Sequence, residues 1–140
     1  MLEIFLSNYN ALFEALLVTI KVTVSSLILG SLIGLVFAFF SISNIKILNF
    51  VAQGYLIIVR GTPMIVQICI LYFGISSILT LRQFWAGVIA LAFHNGAYIS
   101  EIFRGSIQSI GMGQMEAARS LGLTYKLAMS RIILPQAFKR

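Results

Sequence analysis

Long apolar runs, broken by single polar residues, dominate the chain. Residues 22–40 form 19 consecutive uncharged positions, and Lys21 stands directly before them. About 20 residues of α-helix, rising about 1.5 Å each, cross the hydrocarbon core of a bilayer. We therefore predict a first transmembrane helix from about Leu16 to Phe40, preceded by a short interfacial segment.

Small residues recur at every fourth position of this first predicted span. They are Ser26, Gly30, Gly34 and Ala38. Positions i and i+4 stack on one face of an α-helix, and small side chains on such a face let another membrane helix approach closely. The spacing predicts a packing face; chance is the alternative, because glycine and alanine are frequent in membrane helices.

A second apolar run continues from about Val51 to Phe73 and contains Arg60 and Pro63. Proline has no backbone N–H, so the carbonyl of Val59 loses its helical donor. We expect a kink or break there. A third span is predicted from Phe84 to about Phe103, whose 20 residues are enough to cross a bilayer.

The basic residues give the predicted orientation. Six of the ten Lys and Arg residues follow the last long apolar stretch, and basic residues are enriched on the cytoplasmic side of membrane proteins. The tail is therefore predicted to be cytoplasmic. With three spans, the N-terminus lies outside, the loop at 41–49 inside and the loop at 74–83 outside.

Composition supports this all-α, multi-pass integral membrane fold. Hydrophobic residues make up 59% of the chain and charged residues 10%, against roughly 45–50% and about 25% in soluble domains. No basic face interleaved with exposed aromatic residues accompanies the formal charge of +6, so nucleic acid is not a predicted partner. The single Cys69 excludes a disulfide within the chain.

The last thirty residues change to the pattern of two short amphipathic helices, predicted from Gln114 to Leu121 and from Tyr125 to Ile133, where Pro135 limits the second. Gly122 lies where a helix end needs a left-handed residue, and Thr124 can cap the second helix. Two interpretations fit this pattern. It is either a rigid hairpin that enters a groove of another protein or an amphipathic segment lying on anionic lipid.

The spacing within this tail separates the two interpretations. In order, the residues are Glu116-Ala117-Ala118, three residues, Gly122, nine residues, Ile132, one residue and Leu134-Pro135. This pattern resembles the EAA loop of ABC-importer permeases. Upstream, RGTPMIVQ at 60–67, FRG at 103–105 and IQSI at 107–110 resemble the polar amino acid permease family.

The resemblance implies five core helices per subunit, with the EAA loop between the third and the fourth. We therefore expect transmembrane helices in 1–110, the cytoplasmic EAA loop in 111–140, and a truncation that removes two further helices. The resemblance also implies that the loop docks on a separate ATPase subunit. The residues assigned to this coupling are Glu116, Ala117, Ala118, Gly122, Ile132, Leu134 and Pro135. Glu116 is either a polar contact of the ATPase subunit or a structural carboxylate near the N-terminus of the first tail helix, where the helix dipole favours negative charge.

The resemblance further implies a second permease subunit and an extracytoplasmic solute-binding protein as partners, besides membrane lipid. The sequence contains no G-x-x-x-x-G-K-[ST] phosphate-binding loop. ATP and Mg are therefore expected on the partner subunit, with no cofactor and no catalysis on this chain. The alternatives are a non-transporting membrane anchor, a non-functional fragment, a membrane-embedded enzyme or a secondary transporter.

Polar residues within the predicted spans are candidates for the substrate path, because ionisable groups in a membrane mark functional sites. His94, Tyr98 and Glu101 lie at i, i+4 and i+7, on one helix face. The full set of candidates is Thr62, Gln67, His94, Asn95, Tyr98 and Glu101. Alternatively, Glu101 pairs with Arg104 or Arg60 and only holds helices together. The lone histidine has no second ligand at metal spacing, so no metal site is predicted.

Overall fold

The computed structural model describes residues 8–74 and 82–139, and these residues form helices without any strand. This confirms the all-α prediction. The α-helices are α1 Tyr9–Ile42, α2 Lys46–Gly61, α3 Met64–Cys69, α4 Gln83–Gln108, α5 Met112–Ser120, α6 Tyr125–Ala128 and α7 Leu134–Ala137. Two π-helical segments continue them: Ile70–Gly74 follows α3, and Met129–Ile133 joins α6 to α7.

Helix α1 extends past both ends of the first predicted span. Among the described helices it is the one that is long and apolar enough to cross a membrane alone. Many of its large apolar side chains are exposed, including Leu16, Ile28 and Leu32. Exposing such side chains to water is unfavourable, whereas lipid accepts them.

The small-residue face of α1 packs against α4, as predicted. All four of its members are buried: Ser26, Gly30, Gly34 and Ala38. A Cβ atom placed on Gly34 would lie only 2.9 Å from the carbonyl oxygen of Gly96 on α4. The backbones of α1 and α4 are therefore too close at Gly34 to admit a larger side chain at that position.

The second predicted span is broken at Pro63, as expected, but the change of direction is much larger than a kink. Helix α2 ends at Gly61, α3 begins at Met64, and the two axes differ by 105°. We call residues 61–63 the elbow. The segment predicted as one span is thus either a broken span or a re-entrant loop.

Helix α4 covers the third predicted span but is not among the helices apolar enough to cross a membrane alone. Its polar residues His94, Asn95 and Glu101 are the physical reason. By length and composition, the described residues hold one spanning helix, or two if α2 and α3 form one span, against three predicted. The predicted loop at 74–83 falls largely outside the described residues.

The tail folds back onto the ends of α1 and α4. An apolar cluster of Ile107, Ile110, Ile133 and Ala137 joins them, with Ile42 of α1 packed against it.

The first tail helix begins two residues before the predicted Gln114. The second continues beyond Ile133, so the prediction that Pro135 limits it is wrong: Pro135 lies in α7, directly after the π-helical segment Met129–Ile133, where the regular α-helical hydrogen-bond ladder is already interrupted.

Candidate functional site

A polar cavity of about 440 Å³ opens between α2 and α4. Helix α2 contributes four residues at i, i+3, i+4 and i+7, which form one helix face. Of the six candidate path residues, two reach the cavity, both from α4. The complete lining is Gln53, Leu56, Ile57, Arg60, Tyr98, Glu101 and Arg104.

Glu101 is the centre of a charged cluster in this cavity. Arg104 donates from Nε to Oε1 and from Nη2 to Oε2, both at 2.9 Å, which is the bidentate geometry of a strong pair. Its Nη1 donates to Oε1 of Gln108 at 2.8 Å. The carboxylate of Glu101 is therefore held mainly by a neighbour on its own helix.

Arg60 joins α2 to this cluster more loosely. Its Nη1 lies 3.7 Å from Oε2 of Glu101, and its guanidinium carbon lies 5.5 Å from the ring centre of Tyr98. The second contact is in the range of a cation–π interaction. Both pairings expected of Glu101 are thus present, and 46% of the Arg60 side chain remains exposed.

The substrate path predicted from the sequence lacks three residues of this lining, Gln53, Arg60 and Arg104. The two arginines are predicted only as partners of Glu101, and Gln53 is not singled out. Arg60 could have been found from the sequence, because it is an ionisable residue inside an apolar run. Ionisable residues within membrane spans are candidates for functional sites. The α2 face at i, i+3, i+4 and i+7 would have added Gln53.

His94 and Asn95 lie outside the cavity lining. The ring of His94 is tilted against Tyr98 at 5.2 Å between centroids, and its Nδ1 is buried without a hydrogen-bond partner in 8–74 and 82–139. Asn95 instead faces α1, since its Cβ would be 3.3 Å from a Cβ placed on Gly30. Two adjacent candidates therefore face different neighbours.

Thr62 in the elbow and Gln67 in the first turn of α3 lie outside the cavity lining. The amide Nε2 of Gln67 donates to Oγ1 of Thr62 at 2.8 Å, and both side chains also bond to backbone oxygens.

In the part of the chain that the structure describes, no group of three or more His, Cys, Asp or Glu side chains is suited to bind a metal ion.

The turn between α5 and α6 is built around Gly122, whose φ of +81° is left-handed as predicted. The amide of Leu123 donates to the carbonyl of Ala118 at 3.2 Å and that of Gly122 to Arg119 at 3.0 Å. These two bonds form a Schellman motif. Oγ1 of Thr124 accepts from the amide of Leu127 at 3.4 Å, which gives α6 its predicted cap.

The predicted coupling residues fall into two groups on this hairpin. Glu116, Ala117, Gly122 and Pro135 are exposed. The others face inward: Ala118 is buried, and Ile132 and Leu134 pack against the apolar cluster at Ile107. One group is available to a partner and the other fixes the hairpin to the helix ends.

Comparison with known proteins finds permeases along almost the whole chain. Residues 11–139 match the family described as "Binding-protein-dependent transport system inner membrane component". The arginine transport system permease protein ArtQ of Bacillus subtilis (strain 168) is 42% identical over 128 residues, which cover 90% of this chain and 58% of ArtQ. The putative glutamine transport system permease protein GlnP of Rickettsia prowazekii (strain Madrid E) is 42% identical over 126 residues, 89% of this chain and 58% of GlnP.

A third relative, the L-cystine transport system permease protein TcyB of Bacillus subtilis (strain 168), is 39% identical over 122 residues, 86% of this chain and 52% of TcyB. The chain thus spans between half and three fifths of these relatives' lengths. A solved structure described as "Crystal structure of an amino acid ABC transporter with histidines" aligns with a TM-score of 0.86 and 41% identity, over 97% of this chain and 64% of that one. The chain therefore belongs to the binding-protein-dependent transport system inner membrane component family, and its resemblance to amino acid ABC-transporter permeases is confirmed.

Proposed function

We propose that this chain is a permease subunit of an ATP-binding-cassette importer, which carries a polar amino acid across the inner membrane and is driven by a separate ATPase subunit. One observation carries the proposal: the match to permeases runs through residues 11–139, so it includes the cavity and the tail hairpin. A solute-binding protein and a second permease subunit complete the proposed complex.

In the proposed topology, the N-terminus is outside and the hairpin is cytoplasmic. Helices α1 and α4 and the bent pair α2–α3 give three passages through the membrane. The close packing of α4 on the small-residue face of α1 supports counting α4 as a passage, because its partner shields part of its polar surface from lipid.

The hairpin is the proposed docking element for the ATPase subunit. Its tip exposes Leu121 to 82%, beside the left-handed Gly122. The apolar cluster at Ile107 holds the other side of the hairpin against α4. A displacement of the tip by the ATPase would therefore reach the helix that carries Glu101.

Substitution of the tip residue tests this docking. We expect Leu121→Asp to reduce co-purification of the ATPase subunit in mild detergent about tenfold, because a desolvated charge at an interface centre opposes binding. Met112→Asp is the matched control, since Met112 is 80% exposed at the opposite end of α5. Equal recovery of the ATPase subunit with both variants would argue against docking at the tip.

The cavity at Glu101 is the proposed centre of the substrate path, with Arg60 and Tyr98 around it and His94 packed against the Tyr98 ring. Both arginines share the Glu101 carboxylate. Their donors and the carboxylate can hold the charged groups of an amino acid. The volume of about 440 Å³ is in the range of small-ligand sites.

Neutralising Glu101 tests the path. We expect Glu101→Gln to lower the uptake of labelled glutamine and arginine by vesicles containing the whole importer about tenfold, because two guanidinium groups then lose their shared counter-charge. ATPase binding should not change. Glu14→Gln is the control for loss of an exposed carboxylate outside the cavity, and similar uptake by Glu101→Gln and the unsubstituted chain would refute the assignment.

A further inference from the structure

The break at Pro63 leaves the end of α2 with carbonyl groups that no helical N–H can reach. The residue four positions after Val59 is Pro63, which has no N–H. Helix α3 turns away by 105°, so its own amides do not continue the ladder. In an apolar layer an unpaired carbonyl is unfavourable, and a break of this kind needs polar side chains close to it.

Gln67 supplies the missing donor. Its Nε2 lies 2.8 Å from the carbonyl oxygen of Val59, 2.8 Å from Oγ1 of Thr62 and 3.1 Å from the carbonyl oxygen of Thr62. The two N–H groups of one amide thus bind three oxygens of residues that precede Pro63. The carbonyl lost to proline is among them.

Thr62 extends this arrangement by one carbonyl. Its Oγ1 donates to the carbonyl oxygen of Ile58 at 2.9 Å and at the same time accepts from Gln67. We call the side chains of Thr62 and Gln67 the clamp. The clamp ties the first turn of α3 to the last turn of α2, across a junction where the ordinary backbone bonds are interrupted.

Arg60 lies between the residues that the clamp holds. The carbonyls of Ile58 and Val59 are fixed on one side of it and that of Thr62 on the other. Among the described residues its guanidinium makes two loose contacts, at 3.7 Å to Glu101 and 5.5 Å to the Tyr98 ring. The direction of the Arg60 side chain therefore depends on how firmly the elbow is held.

We propose that Gln67 is a positioning residue: through the clamp it fixes the angle between α2 and α3 and keeps Arg60 directed into the cavity at Glu101. Gln67 itself lines no part of that cavity. The fixed angle does not depend on the proposed transport function, whereas the effect on substrate handling rests on it. The elbow is thus a rigid corner and not a hinge.

Spin-label distances test the fixed angle. The native Cys69 on α3 is exposed and accepts one label, and Phe50→Cys on α2, at a position 79% exposed, accepts the other. In lipid nanodiscs the unsubstituted elbow should give one narrow distance distribution. Gln67→Leu should broaden or shift it by several ångströms, because leucine fits the space but donates nothing.

Matched variants separate the clamp from a general loss of an amide. Gln136→Leu also removes a side-chain bond to a carbonyl, that of Ile132 at 2.9 Å, but on the hairpin, and should leave the distribution narrow. Thr62→Val, which keeps the shape of threonine, should broaden it less than Gln67→Leu. An unchanged distribution in folded Gln67→Leu, or in Thr62→Val where the first is not recovered folded, overturns the proposal.

A second arm asks whether Gln67 acts through Arg60. In vesicles with the whole importer, Gln67→Leu and Arg60→Ala should each raise the KM for labelled glutamine, and the double variant should be no worse than Arg60→Ala. Additive effects would show that Gln67 does not act through Arg60. Absence of uptake by the unsubstituted importer would count against the transport function, and the distance measurement would then decide on the clamp.

Discussion

Replacing Gly34 with leucine will separate α1 from α4 and destabilise the chain by about 3 kcal/mol or more. A Cβ at this position would meet Cγ2 of Ile99 at 2.8 Å and the carbonyl oxygen of Gly96 at 2.9 Å. The second atom belongs to the backbone of α4, so it cannot rotate away. A glycine in a helix is otherwise about 1 kcal/mol less favourable than alanine, which makes the expected loss of stability specific to the contact.

The thermal unfolding midpoint in detergent, followed by helical circular dichroism, measures this effect. Gly87→Leu is the matched control: apart from its chain neighbours and the nearby backbone of its own helix, no heavy atom of the described chain lies within 4 Å of a Cβ placed on Gly87 of α4. Gly34→Ala should fall between the two. If Gly34→Leu and Gly87→Leu unfold at the same temperature, the helices do not depend on this close approach.

Replacing Gly122 with valine will uncouple ATP hydrolysis from uptake in the whole importer, provided the hairpin is the docking element. The φ of +81° at Gly122 is unfavourable by roughly 1–2 kcal/mol for any residue with a Cβ, and β-branching adds to it. The turn should open and move Leu121 away from its position. We expect uptake per ATP hydrolysed to fall about tenfold, since 1.4 kcal/mol corresponds to that factor.

Parallel measurement of phosphate release and labelled amino acid uptake in the same vesicles gives the ratio. Gly113→Val is the control, because Gly113 lies within α5, has no positive φ and has open space around its Cα. It should leave the ratio near that of the unsubstituted importer. If Gly122→Val takes up as much amino acid per ATP hydrolysed as the unsubstituted importer, the turn has no role in coupling.

Features set by local chemistry could be predicted from the sequence. The four-residue spacing of Ser26 through Ala38 gave the packing face, and the position of Gly122 after an amphipathic run gave the left-handed turn. Pro63 gave the break because it lacks an N–H. The 105° angle could not be predicted, since proline does not specify which side chain replaces the missing donor. Here Nε2 of Gln67, four residues after Pro63, binds the carbonyl of Val59.

The candidate site was less accessible to sequence reasoning. Helical periodicity places His94, Tyr98 and Glu101 on one face, but it cannot say which neighbouring helix this face meets. Only contacts between α2 and α4 reveal that Arg60 completes the cavity. Asn95 follows His94 directly, and a step of one residue turns about 100° around a helix, so it faces α1 instead.

The sharp corner also creates an electrostatic environment for Arg60. Aligned peptide dipoles give a helix a partial negative charge at its C-terminal end, and a basic side chain in the last turn is stabilised there. Arg60 occupies the last turn of α2. A helix running straight through position 63 would have no terminus at this depth, so the proline that interrupts the backbone also provides the guanidinium with a counter-charge made of peptide groups.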